Sequence, residues 1–153
     1  MAELASTAAE LAALDRLISG WLDDQLEDNP VVVGVERGEA GERRWYVRMH
    51  GDDKDVYSVW LTLGQRTLHY ETYFMPAPEE NAEACFAHLL RRNAKLYGLA
   101  FSIGGEDAIF LAGQLANGSI ALDELDRVVG TIYATVELCF LAALRIGFAS
   151  RFK

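Results

Sequence analysis

VVGTIYATVELCFLAALRIGF, from Val128 to Phe148, is the stretch whose reading decides the fold. It holds one acid, Glu137, and one base, Arg145. A membrane-spanning helix needs about 20 mainly apolar residues, and this stretch has that length. Glu137 falls near its middle, where a charged side chain costs about 2.5–3.5 kcal/mol to insert. Arg145 adds a smaller penalty nearer the end. Asp123, Glu124 and Asp126 crowd the preceding side, with no basic flank and no aromatic belt. The composition therefore favours a helix wrapped by protein on most faces over a span. A chain of this size has enough sheet to cover one side of such a helix. A second copy in a twofold-symmetric homodimer is the natural cover for the other. Gly130, Ala134, Ala142 and Ala143 are small enough to let helices approach closely. Ile132, Tyr133, Val136, Phe140 and Leu144 are the expected dimer or partner interface.

The remaining residues read as one soluble acidic domain. The 153 residues carry a net charge of -9, and residues 1–153 are read as a single unit. Composition is globular, with 51% hydrophobic and 24% charged residues. The acidic balance argues against nucleic acid, whose binding relies on Lys and Arg neutralising phosphates. It also disfavours an anionic membrane surface. Cys85 and Cys139 sit inside apolar helical patterns, and neither belongs to a Cys-x-x-Cys pair, so both read as buried reduced thiols. MAELASTAAELAALDRL lacks a basic region followed by an apolar run, so it is not a secretory signal and the expected address is cytoplasmic. Asn117-Gly118-Ser119 then reads as a turn rather than a glycosylation site.

Periodicity gives the element order. Thr7 and Glu10 have capping-box spacing, and Leu11, Leu14, Ile18, Trp21 and Leu22 share one helix face. Asp23, Asp24, Glu27 and Asp28 make the end acidic, which predicts a stop before Pro30. VVVGVER, RRWYVRMH, VYSVWLTL and TLHYETYFM read as four strands joined by short turns, an antiparallel meander. PAPEENAEACFAHLLRRNAKLYG predicts a helix with Pro78 in its first turn and Gly98 as terminator. Its apolar face is Ala82, Cys85, Phe86, Leu89, Leu90 and Leu96. LAFSIGGEDAIFLAG is a hairpin turning at Gly104-Gly105, and the last helix starts near Leu122. The fold class is α+β, an antiparallel sheet of a four-strand meander plus a hairpin packed with three helices in the order α-β-β-β-β-α-β-β-α.

No catalytic or metal signature stands out. Cys85 and His88 share a helix face, but two ligands are too few for zinc. Asp52, Asp53 and Asp55 lack the spacing of a calcium loop. No nucleophile elbow, phosphate-cradling loop or dinucleotide fingerprint occurs. His69 and Glu71 alternate on one strand face, where an acid–base couple or a plain surface hydrogen bond both fit. No cofactor is expected, and no catalytic or metal residue is assigned. The aromatic residues are more informative. Trp45, Tyr46, Tyr57, Trp60, Tyr70, Tyr73 and Phe74 all fall in the meander, and Trp60, Tyr70 and Tyr73 are the expected recognition surface.

RTLHYETYFMPAPEENAEACFAHLLRRNAKLYGLAFSIGGEDAIFLAG, continued by ALDELDRVVGTIYATVE, resembles the YbjN-like family of bacterial sensory transduction regulators. That family is similar in fold to the type III secretion chaperones. The resemblance rests on Pro76, Pro78, Asn81, the LLRRN run and the AFSI strand. The four-strand meander is one strand longer than the chaperones' usual three. The resemblance implies a small acidic protein that binds other proteins or peptides, often as a homodimer, and it carries over no enzymatic residue. A non-catalytic protein- or peptide-binding module is thus the leading expectation. A small-ligand sensor is the alternative, and an enzyme using His69, Glu71 or His88 ranks below both.

Overall fold

The computed structural model describes residues 4–152. The elements are α1 (Ala8–Asp28), β1 (Val32–Arg37), β2 (Arg44–His50), β3 (Val56–Leu63), β4 (Thr67–Met75), α2 (Ala82–Asn93), β5 (Ala100–Ile103), β6 (Ile109–Ala116) and α3 (Leu122–Gly147). The six strands form one antiparallel sheet in the order β1-β2-β3-β4-β6-β5. The expected fold class and element order are those observed.

Strand alternation divides the sheet into two faces. Trp45, Val47, Met49, Tyr57, Val59, Leu61, Leu63, Leu68, Tyr70, Phe74, Leu111 and Leu115 point to the covered face and are buried. They form one core with Ile18, Trp21 and Leu22 of α1, Cys85 and Leu89 of α2, and the inner side of α3. That inner side includes Leu125, Val128, Val129, Ile132 and Val136, all buried. Five aliphatic side chains at about 1.5–3 kcal/mol each amount to roughly 7–15 kcal/mol of gross stabilisation. No single polar contact on α3 approaches that figure, so apolar burial holds α3 on the sheet.

Polar contacts then fix its position. Near the start of α3, the Trp21 indole N–H donates to Asp126 at 2.8 Å, joining it to α1. At the other end the expected helical start around Pro78 is not helical. Asn81 takes a left-handed conformation (φ 53), so α2 begins at Ala82. The freed segment instead caps α3: the amides of Glu79 and Glu80 both donate to the Gly147 carbonyl at 3.0 Å, and the Asn81 side-chain amide donates to the Ile146 carbonyl at 3.0 Å. These are orphan carbonyls of a helix terminus, and they need partners. α2 also stops at Asn93, short of Gly98, because the Asn93 side chain turns to the backbone of Phe101. The predicted capping box on α1 is present, with Thr7 Oγ1 accepting from the Glu10 amide at 3.1 Å. α1 runs to Asp28 and ends before Pro30.

Gly113 marks a close approach between β6 and the segment after α2. The Tyr70 hydroxyl donates to the Gly98 carbonyl at 2.8 Å, and a Cβ on Gly113 would collide with that carbonyl and with the Tyr70 ring. Gly113→Ala is therefore expected to lower unfolding stability by about 1–3 kcal/mol. Urea denaturation monitored by tryptophan fluorescence reads this out, and an unchanged midpoint would contradict the packing described.

Candidate functional site

Three surfaces are candidates for function: the uncovered face of the sheet, the cleft between α2 and β5, and the outward side of α3. The uncovered face carries two cross-strand aromatic pairs. Tyr46 lies opposite Trp60 in register, with ring centroids 6.2 Å apart and edge-on. Tyr73 lies opposite Phe110 at 5.6 Å, also edge-on. Such pairs stabilise a sheet by a few tenths to about 1 kcal/mol and leave their outer surfaces to solvent. Trp60 and Tyr73 are exposed, as a recognition surface requires. Tyr70 is not part of it. It sits one residue out of phase, points to the covered face and is 1% exposed. His69 and Glu71 also point to the open side, 3.6 Å apart and partly exposed.

The cleft between α2 and β5 is the most apolar concavity described. About 290 Å³ in volume, it is lined by Phe86, Leu89, Leu90, Phe101, Ser102, Ile103 and Ile109. Leu89 and Leu90 are adjacent, so only one can face the core. Leu89 is buried, and Leu90, expected on the apolar face, stands on the cleft rim at 66% exposure. Ile103 on the opposite rim is 56% exposed. β5 is the outer strand of the sheet, but its edge is partly closed. Asn93 donates to the Phe101 carbonyl at 3.1 Å and accepts from the Phe101 amide at 2.7 Å. The cleft thus offers apolar side-chain contact and little free backbone.

The five residues expected to pair α3 with a partner do not lie on its outward side. Ile132 and Val136 are fully buried against the sheet, and Tyr133, Phe140 and Leu144 pack partly buried against the core. Their apolar character serves the protein's own core. The outward side is instead Gly130, Ala134, Leu138 and Ala142, all exposed.

Glu137 and Lys54 were not singled out as a pair by sequence, and they join α3 to the meander. Glu137 accepts from the amides of Asp52 and Asp53 at 3.1–3.2 Å. It lies over Gly51, where a Cβ would collide with its carboxylate. So the acid that argued against a membrane span has a local role: it binds the β2–β3 turn. Two residues further along that turn, Lys54 turns inward. Its ammonium donates to the carbonyls of Tyr73 and Phe74 at 2.6 and 2.7 Å. The β4–β6 register shifts at this point, between Tyr73 and Met75. The ammonium also lies over the rings of Tyr57, Tyr73 and Phe140 at 5.2–5.8 Å. Among the described residues no three His, Cys, Asp or Glu side chains gather as a metal site. Burial raises the thiols of Cys85 and Cys139 above their ordinary range, which disfavours the thiolate needed for nucleophilic chemistry.

A profile of the family described as "Putative bacterial sensory transduction regulator", YbjN, matches residues 16–145. The chain belongs to the YbjN family. It is similar to an uncharacterized protein of Mycobacterium tuberculosis, 36% identical over 104 residues, covering 68% of this chain and 57% of the relative. An uncharacterized protein of Mycobacterium leprae is 31% identical over 110 residues, covering 72% of this chain and 60% of the relative. The chain thus spans somewhat more than half the length of these relatives. Among solved structures, the Yersinia pestis type III secretion chaperone SycH, in complex with a stable fragment of YscM2, is similar with a TM-score of 0.50. That match covers 77% of this chain and 95% of SycH at 16% identity. At that identity the likeness is one of fold, and it agrees with the chaperone-like fold read from the sequence.

Burial pushes the Lys54 ammonium down to about 8 from 10.5. Between those values the unfolded chain holds a proton that the folded protein lacks, so Lys54 makes stability rise with pH from about 8 to 10.5. Tyr57, raised by burial and by the nearby Glu137 charge, works in the opposite sense above pH 10. Lys54→Met is expected to lose this rise. Relative to the variant, the native protein should gain about 1–2 kcal/mol between pH 8 and 10, reduced from the full linkage because the amine keeps some solvent contact. Urea titrations of both proteins across that range check it, and parallel pH profiles would refute it.

Proposed function

We propose that this YbjN protein is a non-catalytic binding module that takes an apolar segment of another protein into the cleft between α2 and β5. The observation that carries the reading is the pair of exposed rims, Leu90 and Ile103, on either side of an otherwise apolar cleft. Exposed apolar concavities of this kind are what partner segments fill. Because Asn93 occupies the Phe101 backbone, recognition rests on side chains docking in the cleft more than on strand addition. The fold neighbour SycH was crystallised with a protein fragment, which supports a polypeptide client for this chain too. The aromatic pairs of the open sheet face provide a flat, amphipathic surface for any client segment that continues beyond the cleft.

A second reading has support from the cleft's size. At about 290 Å³ it lies near the lower limit of small-molecule pockets, so a compact apolar ligand fits as well. The two readings separate by experiment. Selection from a phage-displayed random peptide library should enrich sequences with closely spaced apolar anchors. The Leu90→Glu/Ile103→Glu double variant should weaken the selected peptides at least about tenfold, or 1.4 kcal/mol, while its circular dichroism stays native. No enrichment, or binding indifferent to both substitutions, would rule out the peptide reading. A thermal shift with small apolar metabolites in place of peptides would favour the sensor.

A further inference from the structure

We propose that the concavity between the end of α2 and the outward side of α3 binds a small molecule through its phosphate group. This site shares no lining residue with the α2–β5 cleft. It measures about 450 Å³, within the range of small-molecule pockets. Arg92 and Lys95 reach it from α2 and the residues just after it, and Arg127 and Thr131 from α3. Leu96 and Leu138 give it an apolar wall.

Charge singles this concavity out. In a chain of net charge -9, Arg91, Arg92 and Lys95 follow one another with no carboxylate in ion-pair contact among the described residues. Arg92 and Lys95 also border the adjoining hollow lined by His88 and Arg91, so the cationic surface is continuous. The Arg92 Nε is buried and has no hydrogen-bond partner. A buried donor left unpaired is costly, and an anion is the partner that a guanidinium lacks. Arg127 is held from the other side: its Nε and Nη2 donate to Glu124 at 2.9–3.3 Å, and it stacks on Tyr97 at 4.8 Å. Glu124 offsets the Arg127 charge, so the attraction rests chiefly on Arg92 and Lys95.

Bases in the last turn of a helix also offset its dipole, which accounts for Arg91 and Arg92 on α2 alone. It does not account for the base, hydroxyl and glycine that α3 brings to the same concavity. Gly130 lines it, and a Cβ there would meet nothing within 4 Å. Glycine inside a helix is unfavourable, and no packing contact requires it here; its effect is to leave the concavity open. A phosphate group suits the donors better than a carboxylate does, because it carries close to two charges and three oxygens. Two cations and a hydroxyl can engage it together. The wall of Leu96 and Leu138 then takes the apolar body of the ligand. Nucleic acid is a poor occupant, since the rest of so acidic a chain repels it.

Titration of the ¹⁵N-labelled chain with phenyl phosphate, at constant ionic strength and followed by amide chemical shifts, is the test. Saturable shifts are expected at residues 91–97 and 127–138, with affinity at least about tenfold above that for benzoate. Lys95→Gln removes an exposed charge, and Gly130→Leu fills the concavity without a clash. Each should weaken phenyl phosphate by about tenfold and keep a native spectrum elsewhere. The Leu90→Glu/Ile103→Glu variant should bind phenyl phosphate unchanged, so this site and the client cleft are read separately. No saturable shift up to about 10 mM overturns the proposal, as does binding indifferent to Lys95→Gln and Gly130→Leu. Benzoate binding as tightly as phenyl phosphate overturns the role of the phosphate. A hexaglutamate peptide binding more tightly than phenyl phosphate also overturns the proposal, by making the site one for acidic polypeptide.

Discussion

Glu137 sits where the conflicting demands on this chain meet. An ionised carboxylate in the middle of an otherwise apolar helix must find donors or face water. Here it finds the amides of Asp52 and Asp53, presented by a turn that needs Gly51 to let the carboxylate approach. Each such bond is modest in net energy, roughly 1–3 kcal/mol for a charged acceptor, far below what the inner side of α3 gains from apolar burial. Its effect is on position. It fixes how far along the sheet α3 lies and which residues point outward, so that Ile132 and Val136 are inside while Ala134 and Leu138 are not.

The same turn extends its influence through Lys54. The β4–β6 register shifts after Tyr73, and there the Lys54 ammonium takes the carbonyls of Tyr73 and Phe74. The side chain reaches them across Tyr57 and Phe140, and Phe140 belongs to α3. The β2–β3 turn therefore grips α3 with its backbone amides and β4 with a lysine. Burying an ammonium is costly, and two carbonyls with three ring faces are the means by which the fold keeps it inside. The arrangement lets a single turn hold the middle of α3 against the middle of the sheet, while the Asp126 contact and the 79–81 cap hold the ends.

Much of this architecture was legible in the chain because its signals are periodic. Alternation in RRWYVRMH separated inward from outward residues for β2, and the Thr7–Glu10 spacing marked the start of α1. Failures came where a residue's direction depends on something non-local. Tyr70 was placed on the recognition surface with Trp60 and Tyr73 because all three are strand aromatics, yet strict alternation already puts Tyr70 on the other face from Tyr73. The interface residues named on α3 are large and apolar, and the protein's own core packs against all five. The open side kept the small residues. The role of the 78–81 segment was hidden for a different reason: Pro78 fits the first turn of a helix by local rule. Only the presence of the α3 terminus, far away in sequence, turns that segment into a cap.

The two apolar surfaces left open differ in kind, and the difference bears on their use. The cleft beside β5 is concave, with rims from two elements, Leu90 and Ile103, and one of its backbone neighbours already satisfied by Asn93. Blunting an edge strand in this way suppresses indiscriminate strand pairing while leaving apolar side-chain contact available. The outward side of α3 carries small residues beside a single large one, and Gly130, Ala134 and Leu138 border a second concavity with Arg92 and Lys95 at the end of α2. Since Glu137 and Lys54 fix the roll of α3 and the Asn93 bridge fixes β5, both surfaces are set by the same few polar contacts that orient the helices.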